Sequence, residues 1–138
     1  MIRVLTLSLA LMLAPLATAA QEQPVFKDYD EMRSILDTLM MTRQVGDVMR
    51  RFGGSDEMSD EDIDALDARL RNLFPYDFKH VDLLRVDQME NGWSQEMYAY
   101  WSGLSYVFVV VLLHQRDDSL VAINIKFNTD FYELIKSF

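Results

Sequence analysis

The stretch Ser105–Leu120, SYVFVVVLLHQRDDSL, decides how the chain folds. It contains the most hydrophobic run outside the first twenty residues, eight apolar residues from Tyr106 to Leu113. A bilayer, a ligand pocket or a protein core could each receive such a run. As a helix it would reach only about 12 Å, against a hydrocarbon layer of about 30 Å, which excludes a membrane span. Its valines and the turn-forming residues on either side read as a strand. Because consecutive positions are apolar rather than alternating, both faces of that strand need cover. Helices can supply one cover; the other requires a sheet bend, a neighbouring subunit or a ligand.

Working outward, Arg116-Asp117-Asp118-Ser119 turns the run into a following strand. There Val121, Ile123, Ile125 and Phe127 alternate with Ala122, Asn124, Lys126 and Asn128, the period of a sheet with one buried face. Upstream, Phe78–Gln88 and Trp93–Trp101 read as two more strands. Asn91-Gly92 between them suits the positive φ angles of a type I′ hairpin, and Ser102-Gly103 turns the second into Leu104–Gln115. The result is a four-stranded antiparallel meander.

Ahead of the strands the period becomes helical. From Tyr29, with Asp28 or Asp30 as cap, Met32, Ile35, Leu36, Leu39 and Met40 form one stripe. A second stripe of Met41, Val45, Val48, Met49 and Phe52 points to nearly the opposite side of a straight helix. A bend between Thr42 and Gly46 reconciles the two, since Gly46 weakens a helix interior. The alternative reserves Val45, Val48, Met49 and Phe52 for a partner or dimer mate. Gly53-Gly54 ends the element. Ser59 with Asp62 forms a capping box for a helix with Ile63, Leu66, Leu70, Leu73 and Phe74 inward, stopped by Pro75. Thr129 or Asp130 caps a short terminal helix carrying Phe131, Leu134, Ile135 and Phe138.

The expected class is α+β: N-terminal helices packed on a four-stranded antiparallel meander, with a short C-terminal helix. In general look this order resembles the cystatin-like and nuclear-transport-factor-like domains, in which a sheet wraps around a helix. The resemblance implies no inhibitory residues, because Gln44-Val45-Gly46 lacks the Gln-x-Val-x-Gly spacing of the inhibitory cystatins.

The chain has 138 residues and a net charge of −9. Arg3, the apolar Val4–Leu16 and the small residues Ala17-Thr18-Ala19-Ala20 have the three parts of a secretory signal. The expected organisation is a signal peptide over 1–20, a flexible arm over 21–28 and a single domain over 29–138. Cleavage would leave 12 basic against 22 acidic residues, a net charge of −10. That surface repels nucleic acid and anionic lipid and favours a basic periplasmic or secreted protein as partner. No cysteine is present, which excludes disulfides, thiol catalysis and thiolate metal sites.

Catalytic motifs are poorly supported, and no cofactor or metal is expected. His80 and Asp82 share one strand face and His114 lies on another strand, too few ligands for a metal site. An EF-hand loop begun at Asp60 meets Ala65 and Arg71 where Gly and Glu belong. Ser102 and Ser105 lack the nucleophile-elbow pattern, and no glycine-rich phosphate loop joins a strand to a helix. Aromatic density is the least ordinary feature: Trp93, Tyr98, Tyr100, Trp101, Tyr106 and Phe108 crowd two adjacent strands. On an outer face Trp93, Tyr98 and Tyr100 would suit a protein or ligand surface; within the sheet they would pair across strands.

These features favour a small exported binding or protein-interaction module without enzymatic activity. The alternatives are a carrier or enzyme with a pocket between helices and sheet, using His80, Asp82 or Asp87, and an inhibitor of a basic secreted hydrolase such as lysozyme. Mass spectrometry of the exported protein is expected to find a chain beginning at Ala20 or Gln21; a mass retaining Met1 would refute the signal assignment.

Overall fold

The computed structural model describes residues 23–138, and the segment expected to be a signal, residues 1–20, lies outside them. The strands are β1 (Val25–Phe26), β2 (His80–Gln88), β3 (Trp93–Ser102), β4 (Ser105–Gln115) and β5 (Leu120–Asn128). The α-helices are α1 (Tyr29–Met41), α2 (Val45–Arg51), α3 (Asp60–Leu73) and α4 (Phe131–Ile135), with a single 3-10 turn over Gly54–Asp56. All strand pairs are antiparallel, in the order β1-β5-β4-β3-β2, and the sheet is open.

β4 occupies the middle of the sheet, and the cover of each face is visible. Val107, Val109, Val111 and Leu113 project into the main core with Met32, Leu36 and Met40 of α1, Val45 and Val48 of α2 and Leu70 of α3. On the opposite face Val110 packs with Met97 of β3 and Leu134 of α4, flanked by Phe108, Phe131, Ile135 and Phe138. The second cover is therefore the chain's own terminal helix. The α+β expectation holds, with five strands in place of four.

The additional strand comes from the segment expected to be a loose arm. Val25 pairs with Val121 and Phe26 with Leu120, and the Ala122 N–H donates to the Pro24 carbonyl at 2.8 Å. Arg51 clamps it from α2, donating to the carbonyls of Gln23 at 2.6 Å and Val25 at 2.9 Å while lying 4.0 Å from the centre of the Phe26 ring. A two-residue strand is too short to show a period, and its anchor is distant in sequence.

The helical break falls where two stripes required one, but Gly46 does not make it. Arg43 takes the left-handed conformation, φ 58°, and its guanidinium is held by Asp77 at 2.9 Å and the Phe74 carbonyl at 3.0 Å. Gly46 serves a close crossing of α2 on α3: a Cβ there would lie 3.2 Å from Ile63 Cγ2, and its N–H donates to Asp67 at 3.1 Å. Val45, Val48, Met49 and Phe52 consequently lie in the main core and are not available to a partner. The bend rotates α2 until its stripe faces the sheet.

Caps appear as read at Asp28, Ser59 and Asp130, each accepting from the backbone of the first turn. Asn91 and Gly92 have φ of 59° and 82°, and the Gly92 carbonyl accepts from Gln115 N–H at 2.7 Å. Two details depart from simple alternation. An irregularity between Leu112 and Leu113 shifts β5, so Ala122 joins the core and Ile123 is exposed. Leu73, read as part of the buried stripe of α3, is exposed at the end of that helix.

Arg51→Ala should release β1 without unfolding the domain. We expect a loss of about 1–3 kcal/mol in urea denaturation and faster hydrogen exchange at Ala122; unchanged exchange there would show that β1 holds without the clamp.

Candidate functional site

Three places hold side chains beyond those needed to fill a core: a polar network between α1 and β3, the outer face of the sheet, and the free edge at β2. In the first, helical spacing puts Tyr29, Arg33 and Asp37 on one side of α1, and strand alternation puts Glu96, Tyr98 and Tyr100 on the inner face of β3. The Tyr29 hydroxyl donates to Glu96 at 3.0 Å, and Tyr98 donates to the same carboxylate. Tyr100 donates to Asp37 at 2.7 Å. Arg33 joins the halves, donating to Tyr29 and to Asp37 at 3.2 Å each, with its guanidinium 4.5 Å from the centre of the Tyr98 ring. Glu96 is only 4% exposed, and both β3 tyrosines are fully buried.

Burial raises the Tyr98 phenol far above the ordinary tyrosine range, reinforced by its hydrogen bond to the Glu96 carboxylate and that group's charge. Burial does the same to Tyr100, helped by the Asp37 charge and hydrogen bond. Burial works against the Arg33 charge, yet its hydrogen bond to Tyr29, its interaction with Tyr98 and the Asp37 carboxylate outweigh this and raise its pKa. The tyrosines are thus fixed as neutral donors and Arg33 as a permanent cation. Such groups lock α1 onto β3; they do not exchange protons near neutral pH.

Tyr98 and Tyr100, expected as outer-face contact residues, are corrected by this arrangement. Their strand face is the one α1 covers, and an amphipathic side chain can point inward when its hydroxyl finds a carboxylate. Trp93 does lie on the outer face, half-buried, its ring stacked 4.4 Å from that of His114 opposite it. His80 stacks on Trp101 at 4.2 Å, Asp82 accepts from Trp101 Nε1 at 2.7 Å, and Asp87 pairs with Arg85 at 3.4 Å. The three residues considered for an enzyme or carrier each have a local partner on the outer side of β2 and β3. No group of three His, Asp or Glu side chains is placed to hold a metal among the described residues. Nor is any helix there long and apolar enough to cross a membrane.

An open cleft of about 580 Å³ runs between α1 and α2, lined by Ile35, Thr38, Leu39, Asp47, Arg50 and Arg51. Its cations are engaged, Arg50 with Asp64 at 2.9 Å and Arg51 with the β1 carbonyls.

The outer face carries most of the aromatic side chains of β3 and β4. His80, Trp101, Tyr106, Phe108 and Phe131 form a continuous row with ring separations of 4.2, 5.8, 6.3 and 5.6 Å. It ends at exposed Tyr132, whose ring meets Phe131 edge-on at 5.6 Å, and Leu104 protrudes from the β3–β4 turn 96% exposed. The sequence placed aromatics on these strands; alternation from Met97 and Trp101 would have identified this face, had the inward set been known. Comparison of the chain with protein-family models, curated proteins and solved structures finds no match.

Raising the pH tests the network. Unfolded tyrosines ionise near pH 10, whereas Tyr98 and Tyr100 resist ionisation while folded, so above that pH the unfolded state binds fewer protons and stability falls. Urea denaturation should show this decline, with a smaller slope in Tyr100→Phe, which also loses about 1–2 kcal/mol at neutral pH. An equal alkaline slope in both proteins would refute the assignment.

Proposed function

We propose that this chain is an exported, non-enzymatic protein-interaction module of the periplasm or extracellular space, with the aromatic outer face of its sheet as the docking surface. One observation carries the reading: the Trp101–Tyr106–Phe108 row leads from the sheet to three exposed side chains, Leu104 at 96%, Tyr132 at 73% and Tyr106 at 40%. Tyrosine and tryptophan supply large, stiff contact area with a polar tip, and they are enriched at the centres of interfaces. His80, Asp82 and His114 on this face are engaged by stacking or a hydrogen bond with Trp101 or Trp93, which favours binding over catalysis.

The acidic balance favours a basic partner, since opposite charge accelerates encounter. A basic secreted hydrolase such as lysozyme is one version. The triple variant Leu104→Ser, Tyr106→Ser, Tyr132→Ser changes only exposed positions and should keep the wild-type circular dichroism spectrum. Cross-linking in periplasmic extract, with partners identified by mass spectrometry, should recover a basic protein with the wild type and lose it with the variant. Equal recovery from both would exclude this face, and undiminished lysozyme activity at stoichiometric protein would exclude that version.

A further inference from the structure

The free edge of β2 is complementary to itself. β2 ends the strand order, with β3 on one side and no strand on the other among the described residues. Along it Leu83, Leu84 and Val86 are 43%, 45% and 42% exposed. Edges of this kind are commonly blunted by lysine, proline or a bulge. β2 has neither lysine nor proline, and its irregularity lies where pairing steps from Leu83↔Tyr98 to Arg85↔Met97.

That irregularity resets the alternation of faces. His80 and Asp82 lie opposite Trp101 and Ala99, and Arg85 and Asp87 lie opposite Met97 and Gln95, so all four share the outer face. Val81 and Val86 lie opposite Tyr100 and Glu96 and share the inner face. A second copy brought antiparallel to this edge by a two-fold axis normal to the sheet keeps outer residues opposite outer and inner opposite inner. With the axis between Leu83 and Leu84, His80 falls opposite the partner's Asp87, Asp82 opposite the partner's Arg85, and Val81 opposite the partner's Val86. The leucines meet at the centre. In a regular strand the same axis would set outer residues against inner ones; the irregularity makes this register consistent. Sliding one pleat either way sets Asp82 against Asp87 or Arg85 against His80.

We propose that the protein forms a two-fold homodimer through β2 in this register, joining the two sheets into one. Charge complementarity selects the occupant: each strand offers both the anion and the cation the other requires, a reciprocity a foreign peptide has no reason to possess. Arg85 is already held on the outer side, 4.5 Å from the centre of the Phe138 ring and in a 3.4 Å half-exposed pair with Asp87 that the partner's Asp82 would join, and Asp82 uses one oxygen for Trp101, leaving the other to accept. The apolar edge and the backbone ladder supply attraction, and the exposed ion pairs set the register. The axis keeps both aromatic outer faces on the same side of the joined sheet, so the dimer leaves the proposed docking surface open.

Sedimentation equilibrium of the mature chain, from low micromolar to near-millimolar concentration, should show a monomer–dimer equilibrium. Arg85→Asp alone and Asp82→Arg alone each place like charges across the interface and should weaken it at least about tenfold; an equimolar mixture of the two restores opposite pairs and should form a heterodimer. Wild-type protein that stays monomeric overturns the proposal, as does a dimer indifferent to Leu84→Lys. Single variants that weaken association but do not recover on mixing overturn the register. Circular dichroism melts confirm that the variants fold. These positions are separate from Leu104, Tyr106 and Tyr132, so loss of the dimer and loss of the outer-face partner are read independently.

Discussion

The double covering of β4 is the constraint from which the rest follows. A strand with valine or leucine at nearly every position cannot leave either face in water, since each such side chain contributes about 1.5–3 kcal/mol on burial. One face draws α1, α2 and α3 together over the sheet; the other obliges the chain to return beneath it after β5 and lay Leu134 against Val110 and Met97. The break at Thr42–Gln44 belongs to the same requirement. An unbroken helix could turn only one of its two stripes toward β4, and Arg43, pinned by Asp77 and Phe74, allows both to reach it.

The same geometry explains why polar groups lie so deep. Once α1 lies across β3, its inward positions include Arg33 and Asp37, and the strand positions below them include Glu96, Tyr98 and Tyr100. Each charge buried there must be met by an opposite charge or a donor. Arg33, Asp37 and Glu96 meet this condition together with three tyrosine hydroxyls. Such a network fixes the angle and position of α1 on the sheet more narrowly than apolar packing would, because a small rotation leaves a carboxylate without donors.

What was legible in the sequence divides along the range of the interaction. Local chemistry was readable: the caps at Asp28, Ser59 and Asp130, the Asn91-Gly92 turn, the extended character of β2 to β5 and the double burial of β4 all depend on neighbours within a few residues, whereas the irregularities in β2 and β5 broke the expected alternation. Long-range pairing was not. The short β1 strand is held by Arg51, 26 residues away from Val25. Tyr100 points inward to Asp37 on α1, and Tyr98 to the Glu96 carboxylate that it shares with Tyr29 of α1; both α1 partners are more than sixty residues distant from the strand positions they bond. An alternating pattern shows which residues share a face but not which face is covered; Met97, Ala99 and Trp101 looked as suited to the interior as Tyr98 and Tyr100. The assignment required knowing where α1 and α4 land.

The two edges of the sheet receive different treatment, and the difference is physical. β1 is only two residues long, flanked by Pro24, and has carbonyls bonded to Arg51, so that edge offers little backbone for another strand. β2 is nine residues long, carries exposed leucine and valine, and has no strand on its far side among the described residues. An open apolar edge invites indiscriminate pairing, and a chain that keeps one needs a device to limit its partners. The step at Leu83–Arg85 supplies that device. It disfavours a flat, regular neighbour, and with the axis between Leu83 and Leu84 it would set acid against base on both sides, whereas a slide of one pleat brings Asp82 to Asp87 or Arg85 to His80. In the proposed dimer, protection against aggregation and specificity for self-association would have a common origin in the irregular pairing at Leu83–Arg85.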